Sequence, residues 1–356
     1  MSDFNPKNIL VTGGAGFIGC NYVRYMLATY TDMRIINLDA LTYAGSLDNL
    51  KDLPDKVNGG AREGALGYAS RHVFVQGDIC DRGLVDKLMR EYKIDTVVHF
   101  AAESHVDNSI SEPEVFVKTN VMGTFTLLDS ARQYWQAEKQ WGKENCRFHH
   151  ISTDEVYGTL SAEDPAFSET TPYAPNSPYS ASKAGSDHLV RAYFHTYGLP
   201  VTTTNCSNNY GSYQHSEKFI PTVIRKCLQQ ESIPVYGDGS NIRDWLYVTD
   251  HCSGIDAVLR KGALGEVYNI GGINEWANID ICRLICQLMD EHKPENAPHE
   301  KLITFVQDRA GHDWRYAIDA TKMNDELDWQ PEETFETGIR KTVQWYLASM
   351  QSNMSS

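Results

Sequence analysis

The sequence predicts an α/β protein built on a doubly wound parallel sheet, with a smaller and more irregular α/β region attached to it. Short apolar runs alternate with longer helical patterns through about the first 205 residues, and a glycine-rich turn joins the first run to the first helical pattern. After about residue 208 the sequence changes to polar loops with many aromatic residues. Nearly continuous apolar strands separated by helices are typical of a parallel sheet that is buried on both faces.

The predicted elements follow one another in a regular order along the chain. Apolar, β-rich runs predict strands at residues 8–11, 33–38, 73–76, 96–100, 148–152 and 201–205. Helical periodicity predicts helices at residues 17–29, 83–92 and 337–347. The last helix carries Ile339, Val343 and Tyr346 on one face, so we expect it to pack on the body. We expect the tail, 348–356, to be disordered.

Composition limits the classes of partner and compartment. The 356 residues include 47 acidic and 32 basic ones, and the net charge of -15 argues against nucleic acid or an anionic membrane as the main partner. No run approaches the ~20 apolar residues that a membrane helix requires. The polar start, residues 1–7, leads straight into a predicted strand and has no signal-peptide pattern. We therefore expect a cytoplasmic protein.

The eight cysteines predict reduced thiols and no metal site. They are scattered singly among apolar residues, without the dense spacing of a disulfide framework. Cys282 and Cys286 lie four residues apart on a predicted helix, but no further pair of Cys or His residues completes a tetrahedral zinc site. Burial on an apolar helix face is the better interpretation of this pair.

The glycine-rich turn predicts a dinucleotide site on a Rossmann-type sheet. Gly13, Gly14, Gly16 and Gly19 follow the first strand and open the first helix. Glycines let the backbone turn tightly and approach a pyrophosphate, whose charge is met by the helix N-terminus. Asp39 ends the second strand twenty residues after Gly19, where an acid is expected to bind a ribose. This acid would repel a 2′-phosphate, so the pattern favours NAD over NADP.

Further cofactor contacts are expected after the next strands. Gly77, Asp78 and Ile79 follow one strand and could hold the adenine edge, whereas Ala101 follows another and would let the cofactor lie close. The predicted cofactor-binding residues are Gly13, Gly16, Phe17, Ile18, Gly19, Asp39, Asp78, Ile79, Ala101, Tyr179 and Lys183. We assign residues 1–207 and about 244–270 to the NAD-binding domain, and about 208–243 and 271–347 to the second region.

Two short segments supply groups for proton transfer. Thr153, Asp154 and Glu155 end the predicted strand at 148–152, and Tyr179 and Lys183 lie one turn apart on one helix face. A nearby ammonium and a nicotinamide ring would favour the phenolate of Tyr179, which could then remove a proton from an alcohol while hydride leaves the same carbon. The segments predict a catalytic site if the fold brings them together.

With these motifs the sequence resembles the extended short-chain dehydrogenases/reductases and, more narrowly, the nucleotide-sugar 4,6-dehydratases. The resemblance covers about residues 8–347, and its supporting segments are 101–107, 149–158, 205–211, 242–248, 268–272 and 308–313. It implies that Tyr179, aided by Thr153, removes the C4 hydroxyl proton, that Glu155 removes the C5 proton, and that protonated Asp154 donates to the departing C6 hydroxyl. NAD should stay bound and be regenerated in each cycle.

The resemblance also implies the substrate and its contacts. The implied substrate is a nucleotide-diphosphate sugar, dTDP-glucose above all, bound by Ser104, Asn208, Lys218, Tyr236, Arg243, Asn278, Arg309 and His312. The chain departs from the usual bacterial pattern at residues 211–218, where serines, Gln214 and His215 replace prolines and an aromatic residue. UDP-glucose is therefore a competing substrate.

Two other functions and an oligomeric state complete the expectations. A UDP-hexose 4-epimerase would share the glycine turn, Tyr179 and Lys183, but it needs no carboxylates after Thr153. A non-catalytic NAD-sensing protein on this fold would typically lose the tyrosine or the lysine, and this chain retains both. The resemblance further implies a homodimer formed through helices near 114–133 and 180–197.

Overall fold

The computed structural model describes residues 3–53, 56–57, 60–61, 71–307 and 313–354. Its strands are β1 (Asn8–Thr12), β2 (Arg34–Asp39), β3 (Lys56–Val57), β4 (Gly60–Ala61), β5 (His72–Gln76), β6 (Thr96–His99), β7 (Arg147–Thr153), β8 (Val201–Cys206), β9 (Asn208–Tyr210), β10 (Ile233–Tyr236), β11 (Ile242–Tyr247), β12 (Val267–Ile270), β13 (Glu275–Ala277), β14 (Ile303–Val306) and β15 (Arg315–Tyr316).

The helices lie between these strands and after them. They are α1 (Phe17–Thr29), α2 (Arg82–Glu91), α3 (Val106–Ser111), α4 (Pro113–Phe116), α5 (Thr124–Arg132), α6 (Pro178–Tyr197), α7 (Phe219–Gln229), α8 (Val248–Lys261), α9 (Asn278–His292), α10 (Thr321–Leu327) and α11 (Phe335–Met354). Two π-helical segments, Val117–Gly123 and Gln133–Glu138, flank α5, and a 3-10 helix, Asp154–Tyr157, follows β7.

A seven-stranded sheet confirms the predicted fold class. Its strand order is β12-β8-β7-β6-β1-β2-β5, and every pair in it is parallel. The order reverses between β1 and β6, which is the switch point where ligands bind at the carboxyl ends of the strands. All seven residues of β7 and all six of β8 are buried, as expected for central strands covered on both faces.

Smaller sheets form the second region. Strand β11 pairs with β9, β13 and β15, and β10 pairs with β14. This region has its own apolar core between α7, α9 and α11, which includes Ile224, Ile285, Phe335 and Val343. Between β11 and β13 the chain returns to the large sheet through α8 and β12, so the two regions are joined at several points. The proposed domain boundaries stay a prediction.

The predicted strands and helices are found within two residues at most of their ends, apart from the last helix. Helix α11 begins at Phe335 and continues to Met354, into the segment 348–356 that we expected to be disordered. That expectation was wrong for residues 348–354, because no glycine or proline interrupts the helix there. Among the described residues no helix is long and apolar enough to cross a membrane.

Candidate active site

The glycine turn is packed so closely that side chains could not be accommodated at two of its positions. Gly13 has φ +74°, and a Cβ atom there would lie 2.7 Å from the backbone nitrogen of Ala101. A Cβ atom on Gly19 would lie 2.2 Å from the carbonyl oxygen of Gly13, so only glycine lets α1 pack this close to the turn. Helix α1 starts after Gly16 without a side-chain cap or an acidic residue in its first turn. Its first N–H groups are therefore suited to an anion such as a pyrophosphate.

Asp39 is fixed beside this turn. Its carboxylate accepts hydrogen bonds from the backbone N–H groups of Ala15 and Leu41, both at 2.8 Å. Burial raises the pKa of Asp39, and these two hydrogen bonds oppose the rise. The carboxylate stands at the end of β2, next to the switch point, where a ribose hydroxyl would reach it. The residues present thus fit the NAD site that the sequence predicts.

One cleft runs from the glycine turn to the end of β7 and brings together segments that are far apart in the chain. It is lined by all the predicted cofactor-binding residues, all the predicted catalytic residues and three of the predicted substrate-binding ones. These are Gly13, Gly16, Phe17, Ile18, Gly19, Asp39, Asp78, Ile79, Ala101, Ser104, Thr153, Asp154, Glu155, Tyr179, Lys183, Asn208 and Lys218.

The end of β7 places a buried carboxyl group in the cleft. Thr153 caps the following 3-10 helix: its Oγ1 accepts from the N–H of Glu155 and donates to Asp154 Oδ1, both at 3.3 Å. Asp154 is buried, and its Oδ2 has no hydrogen-bond partner within the described part of the chain. Burial and then the negative charges of Glu155 and Asp244 raise the pKa of Asp154 well above its ordinary value. Asp154 is thus suited to act as an acid.

Helix α6 presents the phenol and the ammonium to the same cleft. Ser177 and Ser180 form a capping box at its start, and Pro178 occupies the first turn. Tyr179 and Lys183 are both buried, and the Lys183 ammonium donates to the carbonyl oxygen of Ile151 at 2.8 Å. Phenol and ammonium therefore stand one helical turn apart, next to the end of β7.

In the protein alone, the surroundings of Tyr179 favour its phenol form and not the phenolate that the proposed reaction needs. Burial, and after it the charge of Glu155, raises the pKa of Tyr179 well above its ordinary value, while a hydrogen bond with Thr153 lowers it. Lys183 is engaged by Ile151, and burial lowers the pKa of its ammonium. The phenol is therefore protonated in the protein alone. A cationic ring bound in the cleft would shift it toward the phenolate.

Two residues of this region were not predicted from the sequence. Asn120, in the π-helical segment Val117–Gly123, donates to Ser182 Oγ at 2.8 Å and bonds both backbone groups of Glu103. Asp187, one turn beyond Lys183, accepts from His150, Ser152 and Tyr173 below the cleft. The i+4 spacing of an acid after Lys183 was a visible signal for Asp187, whereas nothing local marks Asn120.

Of the other five predicted substrate-binding residues, three lie away from the lining of this cleft and two are outside the part of the chain that the structure describes. Arg243 is buried on β11; it donates to the carbonyl oxygens of Ile242, Trp314 and Asp313, and its charge acts on Asp154. Tyr236 ends β10 and is half exposed, whereas Asn278 opens α9. None of these three lines the cleft described above. Arg309 and His312 lie outside the described residues.

Comparisons with known proteins agree with this geometry. A family model described as GDP-mannose 4,6 dehydratase matches residues 10–342. A dTDP-glucose 4,6-dehydratase of Xanthomonas campestris is 56% identical over 342 residues, which cover 96% of this chain and 93% of the relative. A crystal structure of the Bacillus anthracis dTDP-glucose 4,6-dehydratase in complex with NAD is 46% identical, with a TM-score of 0.82 and coverage of 97% of this chain and 98% of that one. The crystal structure of the Streptomyces venezuelae dTDP-glucose 4,6-dehydratase, also with NAD bound, is 42% identical, with a TM-score of 0.85 and the same coverage of the two chains.

The burial of the Asp154 carboxyl predicts how folding stability depends on pH. Its raised pKa means that the folded protein binds this proton more tightly than the unfolded chain, so the contribution of Asp154 to stability falls as pH rises above ~4. We expect Asp154→Asn to melt at a higher temperature than the wild type, by a margin that grows with pH. Thermal unfolding followed by circular dichroism across acidic to mildly alkaline pH measures this margin.

Asp187→Asn is the matched comparison for this prediction. The pKa of Asp187 is lowered despite its burial, which would raise it, because His150 and Ser152 donate hydrogen bonds and the Lys183 charge opposes protonation. This carboxylate stabilises the fold at neutral pH and loses that contribution as pH falls. We expect Asp187→Asn to melt below the wild type at neutral pH, with a gap that closes toward acid. Equal slopes for the two variants would contradict the assignment.

Proposed function

The chain belongs to the GDP-mannose 4,6-dehydratase family, and on that premise we propose that it converts dTDP-glucose to dTDP-4-keto-6-deoxyglucose. The observation that carries the proposal is the buried Asp154 next to Glu155, in one cleft with Tyr179 and Lys183, where burial raises the pKa of Asp154 and favours its acid form. An ordinary dehydrogenase needs the phenol and the ammonium only. Water elimination needs in addition an acid for the departing hydroxyl and a base for the neighbouring carbon.

The cofactor that fits this cleft is NAD, as in the two relatives of known structure. We assign its pyrophosphate to the N-terminus of α1 and its ribose to Asp39, since a 2′-phosphate would meet a fixed carboxylate there. When bound, NAD would take a hydride from C4 of the sugar and return it to C6. Because the cofactor ends the cycle as it began, the enzyme consumes none of it.

The side chains of the cleft would divide the proton transfers between them. Tyr179, with Thr153 hydrogen-bonded to it, takes the C4 hydroxyl proton as the carbonyl forms. The new 4-ketone acidifies C5–H, which Glu155 removes, and Asp154 donates its proton to the C6 hydroxyl, which leaves as water. Glu155 later returns a proton to C5. Two neighbouring carboxyl groups serve opposite duties because burial keeps a proton on Asp154.

We propose that the nucleotide and sugar are held by the residues at the substrate side of the cleft and beside it. Ser104, Asn208 and Lys218 line the cleft, and the buried Arg243 approaches Asp154 from β11. Tyr236, Asn278, Arg309 and His312 complete the proposed set. The relatives' substrate supports dTDP over UDP, although Gln214 and His215, at the unusual loop, also line the cleft.

A homodimer is the oligomeric state that we propose. The helical segments expected at the interface carry exposed apolar side chains: Val117 is 53% exposed, Met122 51%, Phe125 38% and Tyr197 48%. Exposed large apolar side chains favour association, because a partner would remove them from water. We also propose a cytoplasmic location, which the eight free cysteines support.

The proposed reaction predicts product formation without added cofactor. We expect the purified protein to convert dTDP-glucose to the 4-keto-6-deoxy sugar, measured by mass spectrometry as the loss of one water, and to act more slowly on UDP-glucose in a parallel assay. Conversion to the galactose epimer with unchanged mass would instead identify an epimerase. Release of stoichiometric NADH would point to a simple dehydrogenase.

Glu155→Gln separates the two halves of the reaction. The variant lacks the base for C5 but keeps Tyr179 and Lys183, so we expect dTDP-glucose to reduce the bound NAD while product formation falls by about 10²-fold or more. The NADH absorbance and the product yield are measured on the same sample. Glu163→Gln, in an exposed loop, is the matched control and should behave as the wild type. Equal loss of both halves would remove the role assigned to Glu155.

The proposed dimer can be tested by introducing one charged side chain at the proposed interface. We expect light scattering to give twice the chain mass of 40.1 kDa for the wild type. Met122→Glu would place a carboxylate against the partner's apolar surface and should weaken association, because a buried unpaired charge is strongly unfavourable. A carboxylate introduced on a distant exposed site, Ile273→Glu, serves as the control. A monomeric wild type would refute the proposal.

A further inference from the structure

A buried carboxylate lies beneath the cleft without lining it. Asp187 is 6% exposed on α6 and accepts three side-chain hydrogen bonds: from His150 Nε2 at 2.9 Å, Ser152 Oγ at 2.8 Å and Tyr173 OH at 3.0 Å. An isolated buried carboxylate would be strongly destabilising, and three donors are what allow it to stay ionised there. Asp187 is not among the residues that line the cleft, so it can act only through other groups.

Lys183 and Asp187 hold two consecutive residues of β7. They are four residues apart, so their side chains leave the same face of α6 one turn after the other. The Lys183 ammonium donates to the Ile151 carbonyl oxygen at 2.8 Å, and the Asp187 carboxylate accepts from the Ser152 hydroxyl at 2.8 Å. The next residue is Thr153. Helix α6 therefore fixes β7 at the point where the proposed acid and base begin.

The charge of Asp187 opposes the loss of the Lys183 proton. Burial lowers the pKa of Lys183, and Asp187 is the largest influence that raises it again. A buried ammonium without a neighbouring anion tends to become neutral. The titratable groups around Lys183 are His99 on β6, His150 on β7, Cys206 on β8, and Tyr179 and Asp187 on α6.

From this arrangement we propose that Asp187 is a positioning residue: it keeps the Lys183 ammonium charged in the buried cleft and, with Ser152, holds the end of β7 for proton transfer. The proposal rests on the function proposed above for Tyr179 and Lys183. One carboxylate would thus have two roles: its charge would stabilise the Lys183 ammonium, and its hydrogen bond with Ser152 would attach α6 to β7. The three donors explain why that carboxylate stays anionic where solvent does not reach it.

The test is Asp187→Asn in the full-length protein. Asparagine keeps the size of the side chain and an acceptor oxygen but removes the charge. In 13C-labelled protein, the Lys183 Cε resonance, assigned by comparison with Lys183→Arg, should titrate about one pH unit lower than in the wild type. The alkaline limb of the rate of bound-NAD reduction by dTDP-glucose should move in the same direction, and that rate should fall about tenfold at neutral pH.

Two controls separate this role from a general loss of stability. Asp256→Asn removes a buried carboxylate on α8 that accepts from Tyr30 OH at 2.5 Å and Arg260 at 2.9 Å and does not line the cleft. It should lower the melting temperature without moving the Lys183 titration. Asp187→Glu restores the charge and should return the titration toward the wild-type midpoint.

The proposal is overturned if Asp187→Asn is folded and its Lys183 titration matches that of the wild type. Should Asp187→Asn fail to fold, Ser152→Ala tests the mechanical half: we expect a rate several-fold lower with an unmoved alkaline limb, and a wild-type rate would overturn it. A wild-type protein that forms no 4-keto sugar would refute the proposed function instead, and the Lys183 titration would still decide the role of Asp187.

Discussion

The attachment of α6 to the end of β7 is the interaction on which the rest of the site depends. Strand β7 is buried along all seven residues, so its position in the sheet is set by the strands on either side and by the helices above and below. From one face of α6, Lys183 then donates to the Ile151 carbonyl oxygen and Asp187 accepts from the Ser152 hydroxyl. Because Thr153 follows directly, the geometry of the proposed acid and base is inherited from a rigid strand and a long helix rather than from a mobile loop.

Burial has the same effect on the pKa of two groups in the cleft, but that effect suits only one of their proposed roles. It keeps a proton on Asp154, which an acid requires at neutral pH. It also keeps a proton on Tyr179, which a base must not have. The protein alone is thus prepared for elimination but not for oxidation. Oxidation needs a positive charge brought into the cleft, so an oxidised cofactor that is present before the sugar would prepare the phenol for its step.

Most of the large sheet and most of the cleft could be predicted from the sequence, because their signals are local. Parallel strands are near-continuous apolar runs, and the glycine turn is fixed by sterics, so both are visible locally. Contacts made across the fold were not visible: Asn120 lies in a π-helical segment, and the oxygen bonded by Lys183 belongs to Ile151. Tyr236 and Asn278 lie around sheets formed by distant segments, which no local pattern places relative to the cleft.

Charges on the smaller sheet act on the proposed acid at the end of β7. Arg243 and Asp244 are neighbours on β11, in the smaller sheet, and they act on Asp154 in opposite directions. Asp244 is itself held by the N–H groups of Gly272 and Asn274, so its negative charge has a fixed position. Moving β11 by a small distance would change the balance between the two charges and with it the proton affinity of Asp154. The region proposed to bind the nucleotide sugar therefore also influences the proton affinity of the proposed acid.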